Sequence, residues 1–152
     1  VKIDAYVKAN AAFYPNFDHA YFTTLLAEFD IPVGQKLINM SYGQKKKLII
    51  AFGLATNAKL IIMDEPTAAL GVRESNQVLK LIESLRERGM PVILISHNMP
   101  QVYEVADRIQ VMRLGKRAAV VTPKTHDMKD AVAIMTGAAK VDTKDQTLKS
   151  VR

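Results

Sequence analysis

The sequence predicts an α/β fold, a mainly parallel sheet with flanking helices and a C-terminal hairpin. Two short apolar runs, "KLIIMD" and "PVILIS", read as strands, and an amphipathic helical pattern separates them. Strands joined through a helix pair in parallel by a right-handed crossover. Further along, "RIQVM" and "RAAVV" flank "RLGK", which reads as a hairpin connection.

Each element follows from local signals. Residues 1–16 are mixed in character, with "FYPNF" marking a turn. Asp18 caps a helix from about residue 19 to 29, where Phe22, Leu25, Leu26 and Phe29 recur at helical spacing. "DIPVGQ" then breaks the chain. A second helix starts after Ser41 and runs through "YGQKKKLIIAFGLAT". Beyond Lys47 it is apolar nearly all round, which places it against a core. Lys45, Lys46 and Lys47 read as a solvated helix face, with phosphate or an acidic partner as the alternative. "KLIIMD" and "PVILIS" are expected to be buried strands. Residues 72–88 form an amphipathic helix with Val78, Leu79, Ile82 and Leu85 inward and Gly89 as its stop. "MPQVYEVA" is a short helix with Pro100 in its first turn, and "DMKDAVAIMTG" is a last helix ending near Gly137. Residues 138–152 are polar and aperiodic, and are expected to be a disordered tail. No internal repeat occurs.

Composition sets outer bounds. The 152 residues are 49% hydrophobic and 24% charged, enough for one ordinary globular core. A net charge of +6 suits polyanions, an anionic membrane or acidic partners, but carries no sequence-specific address. No base-reading motif or aromatic stacking pattern accompanies it, so no nucleic-acid partner is expected. With no cysteine, disulfides and thiolate metal sites are excluded. The longest apolar run, residues 48–55, is too short to cross a bilayer, and no signal peptide pattern precedes it, which favours the cytoplasm. Val1 in place of Met suggests a processed or excised piece.

Chemistry concentrates at two places. "LIIMDEP" sets Asp64 and Glu65 at the carboxyl end of a strand, the edge where open α/β sheets gather ligands. Adjacent carboxylates can divide labour, one holding Mg²⁺ directly or through water, the next polarising an attacking water. The plainer alternative is a strand ended by polar residues before Pro66. "VILIS" delivers Ser96 and His97 to the same edge if the two strands are parallel neighbours. There an imidazole could bond a γ-phosphate and the attacking water. The second place is "MSYGQ". Ser41 and Gln44 form a capping box, which helix stability alone explains; the same helix end is also an anion-binding device.

Taken in order, these elements resemble the ATP-binding subunit of ABC transporters. "MSYGQKKKLIIAFGLAT" looks like the family's signature motif, usually Leu-Ser-Gly-Gly-Gln, with Met40, Ser41, Gly43 and Gln44 matching or close and Tyr42 departing. "LIIMDEP" looks like Walker B with the catalytic glutamate, here Asp64 and Glu65. "TAAL" looks like the D-loop, with Gly71 where an aspartate is usual, and "ILISHNM" looks like the switch segment, with His97 as its histidine. The resemblance covers roughly residues 20–137. Residues from about 58 are similar to monosaccharide-importer ATPases of the ribose and fructose type. Earlier residues look closer to another bacterial branch, which suggests a junction near residues 57–67 and a recombinant or designed chimera.

The resemblance implies a partial P-loop NTPase-like fold of the ABC ATPase kind. Residues 1–57 would be a remnant of the helical subdomain with the signature helix, 58–137 the Walker B to switch-histidine part, and 138–152 the tail. It implies ATP and Mg²⁺ as cofactors. Ser41, Gly43 and Gln44 would meet ATP in trans in a head-to-tail dimer with another ABC ATPase subunit. Asp64 would hold Mg²⁺ through water, and Glu65 and His97 would be catalytic. Transmembrane permease subunits complete the implied assembly, on the inner face of the cell membrane. One part is missing from these residues. A phosphate loop needs Gly-x-x-x-x-Gly-Lys followed by Ser or Thr. Gly115-Lys116 is the only Gly-Lys pair, Arg117 follows it, and Gln110 stands where the first glycine belongs. Nucleotide binding by this chain alone is therefore expected to be weak and its hydrolysis impaired. The rival reading is a non-enzymatic folding or interaction module.

Overall fold

A computed structural model describes residues 1–141 and 148–150. The chain divides into two compact units, Val1–Ile95 and Ser96–Arg152.

The first unit holds α1 (Ile3–Ala11), α2 (His19–Glu28), a 3₁₀ turn (Leu37–Asn39), α3 (Tyr42–Ala55), β1 (Ile61–Asp64), α4 (Val72–Glu87) and β2 (Val92–Ile95). Asp18 caps α2 by accepting from the Tyr21 amide at 2.8 Å. α3 opens on the expected capping box. The Gln44 amide donates to Ser41 Oγ at 3.1 Å, and the Ser41 amide donates to Gln44 Oε1 at 3.0 Å. Gly89, at φ 73, follows the α4 C-cap in the left-handed conformation that glycine adopts without steric cost.

Helix α1 falls where the sequence shows no clear pattern. Lys2 gives it no side-chain cap. A remote contact starts it instead: the Ile3 amide donates to Gln35 O at 3.1 Å. Ile3, Leu25, Leu26, Phe29, Val78 and Leu85 are among the most deeply buried side chains. Near the C-terminal end of α3, Phe52 is ringed by Tyr6, Tyr14, Phe17 and Phe22 with centroids 4.9 to 6.3 Å away.

β1 and β2 pair in parallel with Ile62 opposite Ile93 and Asp64 opposite Ile95, so their carboxyl ends share one edge. Among the described residues no third strand joins them. The expectation that both strands are buried needs correction. Met63 is 6% exposed, but Ile62 is 62%, Ile93 47% and Ile95 51% exposed. With a side-chain period of two, one face of the ribbon meets the core and the other stays bare.

The second unit holds α5 (Met99–Val105), β3 (Ile109–Arg113), β4 (Lys116–Val121), α6 (Met128–Thr136), β5 (Ala139–Val141) and β6 (Leu148–Ser150). β3 and β4 form the expected antiparallel hairpin. Leu114 at φ 49 and Gly115 at φ 73 supply the two left-handed residues that a tight hairpin turn demands. α6 starts on a capping box of Asp127 and Asp130 and ends at Gly137, φ 86. The expectation of a disordered tail over residues 138–152 also needs correction. Ala139–Val141 pair antiparallel with Leu148–Ser150, setting Val141 opposite Leu148, so backbone pairing gives these two stretches regular structure without a helical pattern. The rest of that expectation, for residues 142–147 and 151–152, lies outside the described residues.

Candidate nucleotide site

Ser41, Gly43, Gln44, Asp64 and Glu65 belong to the first unit, and His97 belongs to the second. The parallel register ends β1 and β2 at one edge. Asp64 is exposed and, by alternation, shares the bare face with Ile62. Glu65 follows it half-buried, its amide donating to Ile95 O at 2.8 Å, which extends the ladder by one bond. His97 lies two residues beyond Ile95 in the chain and is exposed. The adjoining Asn98 amide donates to Ser96 Oγ at 3.1 Å and Asn98 caps α5.

Glu65 carries a backbone cost. Its φ is 43, a left-handed value that non-glycine residues seldom adopt. Ala69, at φ 60, repeats the departure four residues on. Two such residues in one loop cost of order 1–3 kcal/mol each and persist only where surrounding contacts hold them. The contacts are present. The Ala68 amide donates to Glu65 O at 3.1 Å and the Leu70 amide to Thr67 O at 3.2 Å. Lys46 Nζ donates to Glu65 O, and also to Ala68 O at 3.2 Å.

The lysine run is therefore not a solvated face. Lys45 is exposed, Lys46 reaches the loop after β1, and Lys47 is 4% exposed. Lys47 Nζ donates to Phe29 O at 2.7 Å and to Gln77 Oε1 at 3.0 Å. Burial lowers its pKa from the ordinary 10.5, while Glu74 and Asp30 act in the opposite direction. A sequence signal for Lys47 existed, because it falls on the buried stripe with Ala51, Leu54 and Ala55. For Lys46 there was none, since its acceptors lie 19 and 22 residues away.

At the start of α3, the Ser41 hydroxyl accepts one helix amide and keeps its proton for an outside acceptor. The Gln44 side-chain oxygen is engaged with Ser41, so its amide group is what it could offer a ligand. A Cβ on Gly43 would sit 3.1 Å from Leu70 Cδ2, so glycine here lets α3 approach the loop after β1 closely. Ser41 and Gln44 also rim a polar cavity of about 290 Å³ that Lys47 and Arg73 share with Asp30 and Glu74. That cavity is not lined by Asp64 or Glu65.

Asp64 fits a metal only in part. Mg²⁺ in nucleotide sites takes one or two carboxylates and completes its shell with water and phosphate oxygens. An exposed carboxylate at a strand end suits that role, and among the described residues no cluster of three metal-ligating side chains would hold a cation unaided. The helix end of α3 fits phosphate oxygens, whereas the cradle for the remaining phosphates has no counterpart in this sequence.

Residues 15–68 match the ABC transporter family. The chain is 55% identical over 106 residues to the fructose import ATP-binding protein FrcA of Rhizobium meliloti, covering 70% of this chain and 41% of that one. It is 40% identical over 119 residues to the ribose import ATP-binding protein RbsA of Lacticaseibacillus paracasei, covering 77% of this chain and 23% of that one. The chain thus spans less than half the length of these relatives. An alignment of 106 residues cannot fit within residues 58–152 alone. The likeness to sugar importers therefore extends into the part whose sequence looks closer to another branch. Among solved structures, an ATP-binding subunit of an ABC transporter superposes with a TM-score of 0.75 at 18% identity, over 90% of this chain and 62% of the other. The cbiO1 subunit from Clostridium perfringens, part of an ABC transporter complex, superposes with a TM-score of 0.58 at 30% identity, over 68% and 43%. Among the described residues no helix is long and apolar enough to cross a membrane.

Proposed function

We propose that the chain belongs with the ATP-binding subunits of ABC transporters, the family that residues 15–68 match and whose monosaccharide-importer members it resembles, and that it supplies one face of a composite ATP site. The observation that carries this is the fastening of the Ser41 helix end and the Asp64–Glu65 strand end within one compact unit. Ser41, Gly43 and Gln44 present the N-terminal end of α3 to the terminal phosphate of a nucleotide held by a second ABC ATPase subunit, head to tail. Asp64 is the candidate Mg²⁺ ligand through water, and the metal's chemistry when bound is to neutralise phosphate charge. Glu65 is the candidate to orient a water and accept its proton only where a phosphate cradle is joined to its own side, not in the site that Ser41 completes. His97 is the candidate donor to the terminal phosphate. Assembled with transmembrane permease subunits on the cytoplasmic face, such a site couples ATP hydrolysis to solute uptake, with a monosaccharide as the substrate class the relatives suggest.

Taken alone, the chain is expected to show no steady-state ATP hydrolysis. Losing one preorganised donor at such a site costs on the order of 3 kcal/mol of transition-state stabilisation. Here a whole phosphate cradle is missing from the sequence. The test is ATP turnover by the isolated chain and in mixture with an intact ABC ATPase subunit. The mixture should lose activity with Ser41→Arg in this chain and be largely indifferent to Glu65→Gln in it, because the composite site uses the intact subunit's own carboxylate. Turnover by the isolated chain that Glu65→Gln abolishes would overturn the proposal.

A further inference from the structure

We infer that Lys46 is a positioning residue for the carboxylate loop, fastening the start of α3 to the backbone on which Glu65 is presented. Three observations converge. Glu65 stands at φ 43 and Ala69 at φ 60, two strained residues in one short loop. Lys46 donates to the carbonyl oxygens of Glu65 and Ala68, which bracket the first turn of that loop. Gly43, one turn earlier on the same helix, leaves space that Leu70 fills, so the far end of the loop is packed against α3 as well.

The electrostatics explain why a lysine serves here. The Ala68 amide already donates to Glu65 O. A carbonyl oxygen carries two lone pairs, so one acceptor site remains, and the ammonium reaches it. Charge-assisted bonds are roughly twice as strong as neutral ones. One ammonium with three donors can bridge two carbonyls, which a single backbone amide cannot do. The Glu65 carboxylate leaves the backbone from the residue whose carbonyl is pinned. Rotation about the Glu65 backbone dihedrals is thereby restrained, and the carboxylate's direction with it. Lys46 touches no reacting atom. It acts through Glu65, and it ties the Ser41 helix end to the carboxylate so that the two move as one body.

That Glu65 serves a bound nucleotide rests on the proposed function; the clamp itself does not, and it is read without nucleotide. Amine acetylation of the intact chain, followed by peptide mass spectrometry, compares Lys46 with its exposed neighbour Lys45. Lys46 should react about ten-fold more slowly, because its ammonium is hydrogen-bonded and half-buried. Equal rates would overturn the inference. Lys46→Met and Lys46→Arg are then compared by amide hydrogen exchange and by the ¹³C shift of the Glu65 carbonyl. The methionine variant should speed exchange at the Ala68 and Leu70 amides about ten-fold while leaving the amides in the middle of α3 unchanged. It should also move the Glu65 carbonyl resonance, and arginine should restore both. Unchanged loop exchange and an unmoved Glu65 resonance in Lys46→Met would sink the inference. If the methionine variant does not fold, the acetylation rates decide the matter on the unsubstituted chain.

Discussion

Lys47→Met separates the charge of a buried lysine from its packing. Methionine keeps an unbranched stem of similar length in the slot between α3 and α4 and removes the ammonium. Lys47 is 4% exposed, and its ammonium makes two hydrogen bonds, to Phe29 O at 2.7 Å and Gln77 Oε1 at 3.0 Å. It also lies 5.7 Å from the Phe29 ring centroid. A bond to a charged group contributes about 1.5–3 kcal/mol, so the two together contribute roughly 3–6 kcal/mol. Against this, removing the charge recovers several kcal/mol of desolvation. The Phe29 carbonyl, at the C-terminal end of α2, would be left buried without its donor. The net expected loss is about 2 kcal/mol at pH 7, read as a lower urea midpoint at unchanged slope. The pH dependence has a definite sign. Burial lowers the Lys47 pKa below 10.5. Below the folded value both states carry the proton and the slope is zero. Between the folded value and 10.5 the unfolded chain binds more protons, so stability rises with pH. Methionine has no such proton, so the advantage of the unsubstituted chain should widen across that window. A Lys47→Met chain as stable as its parent at pH 7, or a gap that narrows as pH rises towards 10.5, refutes the reasoning.

Tyr103→Phe should show the opposite pH trend in the second unit. The hydroxyl donates to Asp127 O at 2.7 Å, so its removal should cost about 1 kcal/mol by denaturant titration. Burial, then Asp127 and Asp130, raise the Tyr103 pKa above 10.0, so the protonated hydroxyl's contribution is complete below 10.0 and is lost as pH rises through the folded value. The gap between parent and variant should therefore close in alkali, and a widening gap would refute it. The bare face of β1 and β2, with Ile62 opposite Ile93, should drive self-association that sedimentation detects as a concentration-dependent mass. Ile62→Glu should suppress it; a parent that stays monomeric at high concentration would count against the prediction.

The sequence discloses most where a signal is local. Asp18, Ser41 with Gln44, and Asp127 each place a helix start because a side chain caps its own chain within three residues. Gly89 and Gly137 place helix ends by an equally local signal, the left-handed φ that glycine adopts without steric cost. The common polarity of the β1 and β2 carboxyl ends was legible because a helix between two strands dictates parallel pairing, and β1 and β2 do pair in parallel. α1 was not legible, because the contact that starts it comes from Gln35. The exposure of Ile62 and Ile93 was not legible either. An all-apolar strand suits burial on both faces, and nothing within it tells whether a second layer is present. Lys46 was misread for the same physical reason as α1, since its acceptors are carbonyls on a distant loop, whereas the place of Lys47 on the buried stripe of α3 was there to be read.

The ring of aromatics around Phe52 has an optical consequence. The chain contains no tryptophan, so its near-ultraviolet absorption and intrinsic emission come mainly from five tyrosines. Two of them, Tyr6 and Tyr14, stand edge-on at 5.6 and 5.7 Å to Phe52, which lies in the C-terminal part of α3 away from Ser41. Fixed, asymmetric ring packing of this kind gives near-ultraviolet circular dichroism that vanishes when tertiary packing loosens. The unlabelled chain thus carries a built-in reporter on the helix that bears Ser41, placed far enough along it that a ligand at the Ser41 end would not quench the signal by contact.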